Sequence, residues 1–303
     1  PLALAFGVQS GLGAAAGLYG AIFLGFFAAV FGGTPSQISG PTGPMTVVSA
    51  ATIAVFLGQS ADGNVQSVLG AIIASFVLAG ILQVVMGIFK IGSLIKYIPY
   101  PVISGFMSGI GVIIILLQLF QAIGQPSPRT TIDVVKEIIH ELQNINTWAI
   151  LYAGLTILII YLFPKITRAI PSTLVALLIV TGLSVFLDNA VPVIGDIPSG
   201  LPEIKLAGLL TIDSKFYTII LEAGATLAAL GAINSLLTSV VADNVTKTKH
   251  NSNKELIGQG IGNFIAGLFG GLPGAGATMR TLVNIRSGGR NRISGVIHAL
   301  VLV

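Results

Sequence analysis

Apolar stretches of bilayer-spanning length recur along the chain, separated by short polar turns. A membrane-crossing helix needs about 20 mostly apolar residues. Such stretches fall at roughly 14–32, 66–89, 97–123, 146–163, 170–187, 216–242 and 252–269. The apolar runs 1–13 and 291–303 read as parts of two more. Segments 42–57 and 275–286 are too short to span alone, and each follows a Gly/Pro-rich stretch. Read as half-helices, they bring the total to eleven membrane elements, of which they are the third and the tenth. Residues 132–142 have helical spacing with charges on one face, which predicts a short surface helix. The Pro-containing stretch 189–214 reads as a loop outside the core. The chain begins and ends within apolar runs, so it is expected to be a piece of a longer, transporter-sized protein.

Composition sharpens this picture. Of 303 residues 53% are hydrophobic and 9% charged, and the mean hydropathy is +0.93. A soluble domain carries about 25% charged residues, so a soluble enzyme, a nucleic-acid binder and a disordered chain are excluded. The net charge of +4 has no basic face behind it. With no cysteine, the chain holds neither a disulfide framework nor a Cys-zinc site.

The distribution of charge supplies a topology. Loops 4–5, 6–7, 8–9 and 10–11 hold Lys90, Lys96, Lys165, Arg168, Lys247, Lys249, Lys254, Arg286, Arg290 and Arg292 against Asp243 and Glu255. Loops 3–4, 5–6 and 7–8 hold Arg129, Lys136, Lys205 and Lys215 against eight acids, among them Asp62, Asp188 and Asp196. Under the positive-inside rule the alternation puts the start of element 1 in the cytoplasm and counts each half-helix as a crossing. Glu222 and Arg280 are then the ionisable residues expected inside apolar segments.

The two half-helices are also related to each other. Phe31-Gly-Gly-Thr-Pro35 precedes the first and Phe269-Gly-Gly-Leu-Pro273 the second, followed by Gly40 and Thr42 or by Gly276 and Thr278. The copies lie seven elements apart, and an odd offset inverts the topology. Paired short segments of this kind point to a transporter binding site. A half-helix starting within the bilayer leaves its first N–H groups unpartnered at the positive end of its dipole. Two such ends form an anion cradle without any side-chain charge. Pro41 suits the start of the first half-helix. Gly274 and Gly276 are expected to let the backbone approach an ion, and Thr42 and Thr278 add hydroxyls. Arg280, just beyond the N-terminus of the second half-helix, is expected to face the cavity, the anion or a partner. Asn234 and Thr238, four apart, share a face of segment 216–242, and Phe6 is a candidate cavity lining.

A serine hydrolase built from His298 with Ser104 or Ser108 lacks motif spacing, an acid pair or a metal cluster. An anion channel would use the same half-helix site, and saturable, trans-stimulated flux would distinguish a carrier from it.

Gly40-Pro-Thr-Gly-Pro-Met-Thr-Val-Val48, Val102-Ile-Ser-Gly-Phe-Met-Ser-Gly-Ile-Gly111, Asn253-Lys-Glu-Leu-Ile-Gly-Gln-Gly-Ile-Gly-Asn263 and Gly274-Ala-Gly-Ala-Thr-Met-Arg-Thr-Leu-Val-Asn-Ile-Arg-Ser-Gly-Gly289 resemble the SulP family of inorganic-anion transporters over the whole chain. The likeness is strongest to the family's cyanobacterial sodium-dependent bicarbonate branch. It implies an all-α polytopic membrane protein with a UraA-like fold of two inverted seven-element repeats, of which this chain covers about elements 1–11. It also implies a core domain (1–92 and 216–303), a gate domain (93–190), an outer loop (191–215), and elements 12–14 and a STAS domain beyond this stretch. The function implied is secondary active transport of a small inorganic anion, sulfate or bicarbonate, across the bacterial plasma membrane, by elevator motion in a homodimer and without a cofactor. The site implied comprises Thr42, Gly276, Ala277 and Thr278, with Asn234 and Thr238 beside them and Phe6 as a pocket aromatic. Two positions depart from the bicarbonate branch. Asn234 stands where that branch has a sodium-holding Asp, and Arg280 stands where it has Gly, as a basic residue does in many other members. Bicarbonate as substrate and sodium coupling are therefore left open against sulfate.

Overall fold

In the computed structural model, the described residues are 1–60, 63–97, 100–125, 128, 131–141, 143–167, 172–187, 191, 203–205 and 212–303. They form helices α1 (Leu2–Ser10), α2 (Ala14–Phe31), α3 (Gly43–Gly58), α4 (Val65–Ile88), α5 (Tyr100–Ala122), α6 (Thr131–Glu141), α7 (Thr147–Ile166) and α8 (Ser172–Phe186), followed by α9 (Tyr217–Thr246), α10 (Ser252–Leu268), α11 (Thr278–Arg286) and α12 (Arg292–Leu300). A 3-10 turn over Ile91–Tyr97 joins α4 to α5. Each predicted membrane element is a helix, and α6 is the predicted surface helix. The 191–215 loop lies mostly outside the described residues, as do Asp62, Arg129, Arg168, Asp188 and Asp196 of the charge pattern.

Two strands of two residues each were not foreseen. β1 (Ser39–Gly40) and β2 (Ala275–Gly276) pair antiparallel, Ser39 opposite Gly276 and Gly40 opposite Ala275. They are the lead-ins to the half-helices α3 and α11. Their pairing moves the start of α11 to Thr278, since residues 275–276 are extended. Pro41 likewise lies outside α3: Thr42 is the N-cap, and Pro44 occupies the first turn. An extended segment inside a membrane protein must find partners for its backbone, and each lead-in supplies them to the other.

The chain divides into two compact units, residues 1–110 with 194–303, and residues 111–193. In the first, α10 packs along α4 and α2, and α9 along α4. Small residues allow this closeness, as between helices in membranes. A Cβ on Gly80 of α4 would lie 2.3 Å from the Phe264 nitrogen of α10. Met45, Ile53, Phe56, Ile72, Phe76 and Leu227 fill the apolar core between α3, α4 and α9. In the second unit, α7 packs on α8, and the Asn146 side chain caps the α7 N-terminus.

Two acids assigned to loops belong to helices. Asp243 lies within α9, which runs four residues further than the apolar pattern suggested. Glu255 lies in the first turn of α10 and is buried. Its carboxylate accepts from the Gly33 and Thr34 N–H groups, each at 2.8 Å, and from the side-chain amides of Gln37 and Gln259, each at 2.8 Å. Four donors replace the hydration that burial removes. Glu222 is exposed on α9.

Candidate functional site

The site grows from the crossing of the two lead-ins. β1 ends at Gly40, and Pro41 and Thr42 turn the chain into α3. β2 ends at Gly276, and Ala277 turns it into α11, its N–H donating to the Ile38 carbonyl at 2.8 Å. The crossing is too close for side chains: a Cβ on Gly274 would lie 2.1 Å from the Gly40 carbonyl oxygen.

Both helix starts lack a side-chain cap, as do those of α1, α2, α9 and α12, whereas α4, α7 and α10 are each capped by an Asn; what sets α3 and α11 apart is that their starts meet at one crossing. The first-turn N–H groups, Gly43 and Met45 of α3 and Thr278 to Arg280 of α11, also have no intrahelical acceptor. Together they place the partial positive ends of two helix dipoles at one crossing.

Helix α9 connects the two starts. Asn234 Nδ2 donates to Thr42 Oγ1 at 3.1 Å. One turn on, Thr238 Oγ1 donates to the Gly276 carbonyl at 3.0 Å and lies 2.8 Å from Thr278 Oγ1. Ser235 Oγ accepts the Gly276 N–H at 3.0 Å. That N–H is therefore committed to α9, and the expected approach of Gly276 to an ion gives way to a close approach to Gln37. A Cβ at Gly276 would lie 2.2 Å from Gln37 Nε2.

Arg280 joins the same crossing from α11. Its Nη2 donates to the Pro41 carbonyl, and its Nη1 lies 2.9 Å from where a Cβ on Gly40 would stand. Among the described residues no carboxylate pairs with it. A guanidinium beside two helix N-termini concentrates positive charge that an anion would balance.

Of the residues predicted for the site, Pro41, Thr42, Asn234, Thr238, Gly276, Thr278 and Arg280 are linked by hydrogen bonds, and Ala277 lies among them. Phe6 on α1 is half-buried and packs against the apolar core that contains Met45. Sequence reasoning left out Thr281, whose Oγ1 accepts the Ile38 N–H at 3.0 Å, and the polar residues of α10. Their signal was present as a four-residue spacing at 255, 259 and 263.

Among the described residues there is no group of three or more His, Cys, Asp or Glu side chains. The oxygens of Thr42, Asn234, Thr238 and Thr278 are neutral, and Arg280 is cationic.

The model of the sulfate permease family matches residues 1–303. The chain belongs to the sulfate permease family. It is 48% identical over its whole length to the bicarbonate transporter BicA of Picosynechococcus, covering 54% of that protein. It is 37% identical to the putative sulfate transporter YvdB of Bacillus subtilis, covering 56% of it. The chain thus spans about half the length of the curated relatives it matches. Among solved structures, the transmembrane domain of a cyanobacterial BicA superposes with a TM-score of 0.90 at 46% identity, over all of this chain and 77% of that one. SLC26A9 superposes with a TM-score of 0.82 at 19% identity, over 99% of this chain and 50% of that one, a likeness of fold alone. The fold is that of these transmembrane domains, over the part of each that the chain covers.

Proposed function

We propose that this chain is the anion-binding part of a secondary active transporter for a small inorganic anion of the sulfate or bicarbonate class, acting across the bacterial plasma membrane. The observation that carries the reading is the meeting of the α3 and α11 starts at one crossing, joined through α9, with Arg280 beside them and, among the described residues, in no ion pair. The anion accepts from first-turn N–H groups and from the hydroxyls of Thr42 and Thr278, with Phe6 on the apolar side. Pro41, Gly276, Ala277, Asn234 and Thr238 shape the cradle.

Residues 1–92 and 216–303 form the core that carries the anion. Residues 93–190 belong to a gate against which it moves as an elevator, within a homodimer, and the first helix starts on the cytoplasmic side. The choice of anion class is supported by similarity to the bicarbonate transporter BicA of Picosynechococcus and the putative sulfate transporter YvdB of Bacillus subtilis. The sodium-coupled alternative is disfavoured by the neutral Asn234 and the cationic Arg280.

The test is uptake of labelled sulfate and bicarbonate by the full-length protein in proteoliposomes, with and without sodium. Saturable uptake accelerated by unlabelled anion on the opposite side is expected. Absence of uptake of either anion overturns the reading, and large single-channel currents replace the carrier with a pore.

A further inference from the structure

Helix α10 carries a polar stripe that the anion reading does not use. Glu255, Gln259 and Asn263 follow one another at four-residue spacing and share one face. Their exposures are 1%, 0% and 1%. A face buried so completely in a membrane protein is ordinarily apolar or small. Each of these residues instead makes at least one hydrogen bond to a segment leading into a half-helix.

Glu255 holds the approach to α3. Its four acceptor sites take the Gly33 and Thr34 N–H groups and the Gln37 and Gln259 amides. These donors fill the lone pairs of an ionised carboxylate, so Glu255 acts as an anchor, with no acceptor left for a cation. Gln37 extends the grip, since its Oε1 accepts from Ser239 of α9 at 3.0 Å. Gln259 donates to Ser39 Oγ in β1 at 2.6 Å.

Asn263 holds the approach to α11. Its Oδ1 accepts the Gly274 N–H at 2.9 Å, and its Nδ2 donates to the Gly274 carbonyl at 3.0 Å, the pairing that a neighbouring strand would make. The same Nδ2 donates to Gln83 Oε1 of α4 at 2.8 Å. One rigid helix face thus grips one lead-in near its first turn and the other two turns further on.

We propose that Glu255, Gln259 and Asn263 are positioning residues that set the separation of the α3 and α11 N-termini and thereby the size of anion accepted. The inference rests on the anion-cradle reading above. None of the three need touch the anion. They act through β1 and β2, because a site built from backbone N–H groups has no side chain of its own to tune and depends on its supporting shell.

The test uses the full-length protein with Glu255→Gln, Gln259→Met and Asn263→Ala, and Ser75→Ala as control. Ser75 is equally buried on α4, but its hydroxyl bonds within its own helix to the Ile72 carbonyl. Two readouts are taken. Amide hydrogen exchange over residues 34–43 and 272–280 reports the lead-ins independently of transport. Uptake of labelled bicarbonate, sulfate and nitrate reports KM and the ratio between anions.

Faster exchange in the corresponding lead-in is expected, Asn263→Ala loosening 272–280 and Gln259→Met loosening 34–43. KM is expected to rise about tenfold, the fold-change of one lost buried hydrogen-bond partner, with weaker discrimination between nitrate and sulfate and Ser75→Ala unchanged. Asn263→Ser, which retains a hydroxyl, should recover part of the selectivity, and it carries the test where Asn263→Ala does not fold. Variants with unchanged exchange, or with loosened lead-ins but wild-type KM and selectivity, overturn the proposal. Wild-type protein that takes up none of the three anions overturns the anion reading instead, while the exchange data still report whether α10 holds the lead-ins.

Discussion

Arg280 brings a positive charge to the site and Asn234 a neutral amide, and both act in the same direction on a neighbouring sodium ion. Sodium beside an anion supplies one positive charge and needs oxygen ligands, usually including an anionic one. Asn234 offers no charge, and its amide nitrogen is turned toward Thr42. Arg280 is always protonated and brings a fixed positive charge to the Pro41 carbonyl at the crossing. A charge at this depth costs about 2.5–3.5 kcal/mol on an insertion scale, a cost that an anion in the cradle offsets. Uptake is therefore expected to continue when sodium is replaced by a large organic cation. Arg280→Gly alone should weaken anion binding, and Arg280→Gly with Asn234→Asp should acquire sodium dependence. Collapse of wild-type uptake without sodium would show the charge substitution to be wrong. Gly276→Val makes a second test at this scale. Its Cβ would meet Gln37, and through Gln37 the Glu255 anchor. Inserted protein with nearly no uptake is expected, and normal uptake by this variant would show that the crossing tolerates a branched side chain.

The lead-ins and half-helices obey a different constraint, the closeness of two backbones. Gly274 has no room for a methyl group, since its Cβ would lie 2.1 Å from the Gly40 carbonyl oxygen. Gly58, at the end of α3, has no atom within 4 Å of its Cβ position. Gly274→Ala is expected to lower stability by about 1–3 kcal/mol or more through overpacking. Gly58→Ala is expected to be neutral or to stabilise by up to about 1 kcal/mol. Thermal unfolding in detergent separates the two, and an unchanged midpoint for Gly274→Ala would contradict the close crossing. The half-helices were legible because Phe31-Gly-Gly-Thr-Pro35 and Phe269-Gly-Gly-Leu-Pro273 interrupt apolar runs at matching positions. The strands were not, because two residues have no periodicity and pair only through the fold. Glu255 was misplaced for a related reason. A charge near a helix start resembles a loop charge until Gly33, Thr34 and Gln37, more than 200 residues away in sequence, are brought against it.

For the whole molecule, the half-helices carry a consequence for topology. If α3 and α11 each carry the chain across the membrane, the alternation of loop charge is continuous and the cationic loops lie in the cytoplasm. If either turned back to its starting side, every later loop would change sides and the bias would invert. The two cases are separable by labelling, because this chain contains no cysteine. Single cysteines belong at exposed positions flanking the elements. Gln59, Asn144 and Lys215 follow α3, precede α7 and precede α9, while Lys90, Lys249 and Ser287 follow α4, precede α10 and follow α11. In intact cells expressing the full-length protein on a cysteine-free background, an impermeant maleimide should label Gln59→Cys, Asn144→Cys and Lys215→Cys. Lys90→Cys, Lys249→Cys and Ser287→Cys should react only after the membrane is opened. Gln59 and Ser287 decide most, since they stand immediately beyond the two half-helices. Labelling of Ser287→Cys from outside, with Lys249→Cys protected, would mean that α11 does not complete a crossing, and the inverted relation of the two half-helices would then fail.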